Sequence, residues 1–395
     1  MNEWKEHFFS EAIEICPTVS LKGTDSYSYV EMKDLSDGNR YCHPSIQRKL
    51  SGGSRFKERD TLFARITPCL ENGKICQVTG LKNSVGFGST EFLVFRGKKG
   101  ITDNDFVFYL SRSEGIRSFA EQNFNGTSGR QRVPKSTFDN LLILLPSLPE
   151  QSAIAGVLSS LDDKIDLLHQ QNKTLEAMAE TIFRQWFLEG ESNSATVCLN
   201  DYVNCINGVS YKSAELNSSK NALVTLKSFN RYGGFSTEGF KEFTGKYKPQ
   251  QTVLEGDLVV AHTDITQEAD VLGNPALIIS SPRYETLVIS MDLVKVVPKV
   301  DWLSKEFLYF LMRSREFKYH CLGCANGTTV LHLSKEAIPT YEFSTPDRNK
   351  VTEFSKYVKE LIHQIFIKNK QIHTLMQLRD TLLPKLMSGE VKVKV

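Results

Sequence analysis

The sequence predicts an α+β fold: two duplicated strand-rich domains joined by two long helices that pair as an antiparallel coiled coil, a dumbbell. Three observations predict it. The chain matches itself at an offset near 200 residues, each matched half ends in a long stretch with a heptad-like apolar seam, and strand-length apolar runs bounded by Gly, Pro or Asn fill the space before each seam.

The self-match is clearest where FNGTSGRQ (124–131) returns as ANGTTVLH (325–332). Gly126-Thr127 lies over Gly327-Thr328 at an offset of 201, and Pro146 over Pro346 at 200. RDTLFARITP (59–68) lies over GDLVVAHTDI (256–265) at 197, YVEMKD (29–34) over VTLKSF (224–229), and FVFYLSRSEGIRSFA (106–120) over FLYFLMRSREFKYH (307–320). Drifting offsets are what loop insertions produce, and a period this long is a duplicated domain-plus-helix unit rather than a solenoid repeat. At 395 residues the chain exceeds what a single core of about 250–300 residues usually holds. It therefore divides into a first domain (1–148), a central spacer helix (149–190), a second domain (191–345) and a C-terminal spacer helix (346–395).

In the first domain TEFLVFR (90–96) and NLLILLP (140–146) read as strands, and helical spacing is confined to the region of 106–120. After PSLPEQ (146–151), with Pro149 and Glu150 suited to a first turn, apolar residues fall at Leu158, Leu161, Ile165, Leu168, Leu175, Ala179, Ile182 and Trp186. Alternating steps of three and four make a coiled-coil seam, and Asn172 is its polar break. The second domain repeats the strand signals at ALVTLKSF (222–229), DLVVAH (257–262), ALIIS (276–280) and TLVISMDLVKVVP (286–298), with helical spacing near 304–318. Val358, Ile362, Ile365, Asn369, Ile372 and Met376 then repeat the seam, polar break included. A lone seam would face water, so the two helices are each other's simplest partners; at ~1.5 Å per residue, about 40 residues make a rod of roughly 60 Å.

Composition is that of a globular protein, 40% hydrophobic and 24% charged. No apolar run approaches the roughly 18 residues of a membrane span, and MNEWKEHFFSEAIE is acidic where a signal peptide is basic, so a cytoplasmic protein with no membrane partner is expected. Eight scattered cysteines read as free thiols, and the lone CLGC (321–324) lacks the further ligands a zinc site needs, so no metal is expected. Net charge is only +2, but residues 40–74 hold eight basic against three acidic residues, a local surplus suited to phosphate.

Motifs for chemistry are missing. There is no GxxxxGK[ST] and no HExxH, and GFGST (86–90) lacks the third glycine of a dinucleotide loop. His262-Thr263-Asp264 is the most catalytic-looking cluster, yet its counterpart in the first half is Arg65-Ile66-Thr67, a change a catalytic histidine would not be expected to survive. On residues alone, a nuclease using His262 and Asp264, or a scaffold that binds no DNA, remain as other classes.

The combination of LPSLPEQSAIAGVLSSLDDKIDLLHQQNKTLEAMAETIFRQWF with the ending NKQIHTLMQLRDTLLPKLMSGEV, and a GTS/GTT loop before each helix, strongly resembles the specificity subunit of type I restriction-modification enzymes over the whole chain. The C-terminal helix departs at its entrance, where TPDRNKVTEF replaces Pro-x-x-Glu-Gln. The resemblance implies a non-catalytic, double-stranded-DNA-binding subunit in which each domain reads one half of a split site. The helix pair sets the gap and docks two modification subunits, which carry S-adenosylmethionine and methylate adenine; restriction subunits supply the ATP- and Mg-dependent steps. Leu161, Ile165, Leu168, Asn172, Leu175, Ile182, Val358, Ile362, Ile365, Asn369 and Ile372 would then form the spacer coiled coil. Arg55, Arg65 and Lys74, with Lys227, Lys246 and Lys248 in the second domain, suit phosphate contact. Base reading is expected on the matched loops: Arg65 and Thr67 against His262, Asp264 and Thr266, and Ser128 and Arg130 against Thr329 and His332, with arginine to guanine and carboxylate to cytosine as natural pairings. Residues common to both loops, Gly126 and Thr127 with Gly327 and Thr328, are better suited to holding a turn than to reading different bases.

Overall fold

The computed structural model describes residues 4–23, 25–127, 129–189, 195–229, 234–266 and 268–394. They form two compact units, residues 1–169 with 371–395, and residues 170–370.

In the first unit a five-stranded sheet runs Ile13–Ile15, Phe92–Gly97, Thr61–Ala64, Ile75–Val78, Tyr41–Cys42. A second, four-stranded sheet runs Ile46–Lys49, Ser26–Val30, Val85–Gly88, Ser54–Lys57. Every residue of Thr61–Ala64 and Ile75–Val78 is buried, the mark of strands covered on both faces. Because side chains alternate across a strand, Phe63, Leu93 and Phe95 enter one core with Phe9, Phe138 and the helix Asn104–Arg112. Leu62, Phe92 and Val94 enter another, with Val30 and Phe56 of the second sheet. The helix Asn104–Arg112 starts where Asp103 accepts hydrogen bonds from the Asp105 and Phe106 amides, an N-cap its sequence signals.

The second unit repeats the plan. One sheet runs Val203–Asn207, Leu293–Pro298, Leu258–Ala261, Pro275–Leu277, and the other Lys241–Glu242, Asn221–Val224, Thr286–Ile289, Thr252–Val253. Pairing sense is kept too: Ser26–Val30 lies parallel to Val85–Gly88, as Asn221–Val224 does to Thr286–Ile289. Leu258 and Val260 point into one core with Phe307 and Phe310, Val259 and Ala261 into the other.

The long helices are Leu148–Phe187 and Arg348–Met387. Both are shorter than the expected 149–190 and 346–395. The second stops at Met387 because Gly389 turns left-handed (φ +73°) and its amide bonds back to Leu386, a glycine C-cap. Pairing is antiparallel within each unit. In the first, Ile165 and Leu168 pack on Ile372, with Leu375 and Met376 at the edge. In the second, Asn172 donates to Asn369 at 3.0 Å, so the two polar breaks meet, with Asn172 Oδ1 left buried without a partner, while Ala179 and Phe183 share a core with Phe354, Val358 and Ile362. The seam residues Leu161, Leu175, Ile182 and Ile365 are only half-buried.

The seam also holds a charge pair that apolar spacing does not signal. Arg379 and Asp162 meet at 2.7 Å with side chains 3% and 2% exposed. The other Asp162 oxygen accepts from the Tyr109 hydroxyl at 2.6 Å, and Arg379 also donates to the Gly38 carbonyl. Removing one partner strands a buried charge, at a typical cost of ~3–5 kcal/mol. We expect Arg379→Met to lower unfolding stability in urea by that order, and Asp162→Asn with Arg379→Met to recover most of it. An Arg379→Met midpoint equal to wild type would show that the pair contributes nothing net.

Candidate nucleic-acid interface

In the first unit three segments converge at the end of the central strands. The Arg65 amide donates to Glu91 O (3.0 Å) and the Val133 amide to Arg65 O (2.8 Å). Thr67 exchanges hydrogen bonds with Gln131, and Asn125 pairs with Arg132 through both backbone groups (2.9 and 2.8 Å). The second unit builds the same frame. The His262 amide donates to Asp292 O (2.7 Å), the Leu333 amide to His262 O (2.9 Å), and Leu331–Leu333 lies between Thr263–Asp264 and Ala325–Asn326. The loops matched in sequence are thus neighbours in space in each unit. Hydrogen-bond register makes Arg65 equivalent to His262, Glu91 to Asp292, and Arg132 to His332. The expected match of Arg130 to His332 is therefore corrected: the first loop carries one more residue between its asparagine and its pairing position.

The recurring Asn-Gly-Thr has a backbone cause. Gly126 and Gly327 take φ of +117° and +110°, and a Cβ on Gly327 would lie 2.1 Å from the Val330 carbonyl oxygen. Only glycine fits that turn.

Several expected readers are occupied in holding the frame. Asp264 is buried and accepts from the Thr266 amide and hydroxyl (both 2.8 Å) and from the Val271 and Leu272 amides (2.6 and 3.1 Å). Burial pushes its pKa up, but those bonds outweigh it and hold the carboxyl below its ordinary value. With its lone pairs spent on backbone, Asp264 is neither a cytosine reader nor half of a hydrolytic pair, and the Thr266 hydroxyl is committed to it. Thr67 is likewise buried against Gln131. Lys74 is half-buried and donates to the Met32 carbonyl. Part of the 40–74 surplus is internal as well: Arg40, 3% exposed, pairs with Asp105 at 3.0 Å and Asp163 at 3.4 Å, and Arg59 pairs with Asp105.

Other candidates stay at the surface. Arg55, Arg130, Lys227, Lys246, Lys248, Thr329 and His332 are exposed and Arg65 is half-buried, while Ser128 lies outside the described residues. Two residues that sequence reading passed over join them. Arg132 is exposed and gripped by Glu91 through Nε (2.9 Å) and Nη2 (2.7 Å), and Asp292 occupies the place of Glu91 in the second unit. The pairing partner of the glycine loop was the signal that would have found Arg132. His262 faces a polar cleft lined by Asn200, Asn204, Lys335 and Glu336. Burial, then the nearby His332, depresses its pKa, against an opposing effect of Asp292.

Residues 18–177 match the family model described as "Type I restriction modification DNA specificity domain". The chain is 32% identical to the type I restriction enzyme EcoEI specificity subunit of Escherichia coli, over 43% of this chain and 30% of that protein. It is 24% identical to the HindI specificity subunit of Haemophilus influenzae over 99% of this chain and 100% of that one, and 25% identical to the MjaVIII specificity subunit of Methanocaldococcus jannaschii over 78% of each. Matched segments thus range from under a third of a relative's length to the whole of it. Among solved structures, the S subunit of a type I restriction-modification system from M. genitalium superposes with a TM-score of 0.54 at 16% identity, covering 98% of this chain and 96% of that one, a likeness of fold. Among the described residues no helix is long and apolar enough to cross a membrane.

The depressed pKa of His262 carries a sign. The unfolded chain, with an imidazole pKa of about 6.5, takes up the proton first. The contribution of neutral His262 is therefore complete above about pH 6.5 and is lost as pH falls from there toward the folded value. Thermal unfolding between about pH 7.5 and about pH 5 should show a steeper loss of Tm in wild type than in His262→Gln; parallel profiles would count against a buried neutral imidazole.

Proposed function

We propose that this chain, which is similar to the DNA-specificity subunits of the type I restriction-modification enzymes, is the sequence reader of such an enzyme, each unit reading one half of a bipartite site in double-stranded DNA. The observation that carries the reading is the frame built twice on one backbone plan with different side chains at its equivalent positions, which is what two different half-sites require. Exposed Arg55, Lys227, Lys246 and Lys248 supply the charge that positions a protein on phosphates, while the convergent loops supply groups for base edges. The chain itself catalyses nothing; methylation and cleavage belong to its partners, and it works with them in the cytoplasm. The two long helices set the gap and dock two modification subunits. Outside their seam positions they carry Leu167, Met178, Tyr357, Ile367 and Leu378, large apolar side chains left exposed.

The test is single-molecule methylome sequencing of a host without other adenine methylases, expressing the chain with its cognate modification subunit. The expected motif has two fixed blocks and an unspecified gap, and exchanging residues 1–148 for another such domain changes one block only. A complex that forms yet leaves no motif would overturn the reading. For docking, Leu167→Arg with Ile367→Arg should abolish co-purification with the modification subunit while helical circular dichroism is unchanged; undiminished co-purification would remove these side chains from the interface.

A further inference from the structure

Resting on that reading, we propose that the pairing position of the glycine loop is the base-reading position of each half-site: Arg132, set end-on for guanine by Glu91, in the first unit, and His332, offering a single hydrogen bond, in the second.

The frame shows which side chains are free to differ. Asn125 and Asn326 make the same backbone pairing, and Gly126 and Gly327 make the same left-handed turn. Between the flanking segments the pairing position is exposed in both units and changes from Arg to His. A position fixed in backbone and variable in chemistry, on a loop held from both sides, is where two readers built alike would come to read different bases.

The geometry at Arg132 specifies how. Glu91 takes the side edge of the guanidinium, with Nε at 2.9 Å from both carboxylate oxygens and Nη2 at 2.7 Å from one. Nη1 also donates to the Arg130 carbonyl at 3.3 Å. Those bonds engage three of the five N–H groups and leave one on each of Nη1 and Nη2 for the end edge of the guanidinium. That end edge matches the N7 and O6 acceptors of guanine in the major groove, which no other base presents together. Fixing the fork in advance removes rotamer freedom that binding would otherwise have to remove. Glu91 is thus a positioning residue; its charge, paired and 21% exposed, is kept from repelling the phosphates.

His332 is set differently. Its Nδ1 lies 3.2 Å from the Thr263 hydroxyl, leaving Nε2 as the ring nitrogen available for a base edge. One hydrogen bond discriminates less than a bidentate pair. The half-site of the second unit is therefore the more tolerant at this position.

The same methylome experiment tests the proposal in Arg132→Gln, Glu91→Gln and His332→Ala, with Tm as a check on folding and the domain exchange assigning each block to its unit. In Arg132→Gln both blocks and the gap should persist while one guanine of the first unit's block shifts toward adenine or degeneracy, its preference falling roughly 10- to 100-fold. Glu91→Gln should relax the same guanine more weakly, and His332→Ala should loosen one base of the other block. If wild type yields its two-block motif and the variants yield that motif unchanged base for base, this inference is wrong and the functional reading stands. If wild type yields no motif, both fall together.

Discussion

A carboxylate and a guanidinium buried against each other are the constraint on which the first unit depends. Apolar seams tolerate sliding and repacking, because a leucine finds nearly the same surroundings one position along. Asp162 and Arg379 do not: taken out of water at several kcal/mol per ion, they are tolerable only in the geometry where Tyr109 and the Gly38 carbonyl complete their hydrogen bonds. This pins the C-terminal helix to the central helix, and both to the domain helix that carries Tyr109. The second unit has a related contact on its central helix. Glu176 of the central helix accepts from the Tyr309 hydroxyl (2.5 Å) and from Arg313 (2.7 Å), both on the domain side. In each unit a tyrosine, a carboxylate and an arginine fix a strand-rich body to the central helix.

From these anchors the order passes inward. The helix Asn104–Arg112, held by Tyr109, covers Phe63 and Phe95, and the strands that carry those rings end at Ala64 and begin at Phe92. Arg65 and Glu91 are the next residues along. The convergent frame is thus built directly on the buried ends of these strands rather than on free loops, the support that precisely placed contacts require. In the second unit Ala261 and Leu293 have the same role for His262 and Asp292.

Much of this was legible in the sequence because it depends on periodicity and self-similarity. Steps of three and four located both helices and brought Asn172 and Asn369 to equivalent places. The offset near 200 paired the correct loops before any contact was known. What escaped depends on partners that periodicity does not reveal. Asp264 looks like a free carboxylate until Val271 and Leu272 turn back to donate to it, and Arg40 looks like phosphate-seeking charge until Asp105 and Asp163 claim it. The arginine in register with His332 is Arg132 rather than Arg130: the loops differ in length by one residue, and hydrogen bonding fixes which residues pair.

The carboxylate shared by the two frames shows how duplication yields readers that differ. Glu91 and Asp292 leave equivalent strand positions, but one reaches an arginine across the loop and the other does not. The longer acid with a long, permanently charged partner makes a stiff fork facing outward. The shorter acid acts on His262 through its charge, while His332 finds its contact in a threonine hydroxyl. A difference of one methylene in the acid, together with arginines in one unit where the other has histidines, distinguishes a forked donor from a single ring nitrogen on loops that keep the same pairing and differ in length by one residue. On the proposed reading, two such loops on one chain would favour different half-sites, and the asymmetry of the recognised sequence would follow from side-chain lengths within a shared frame.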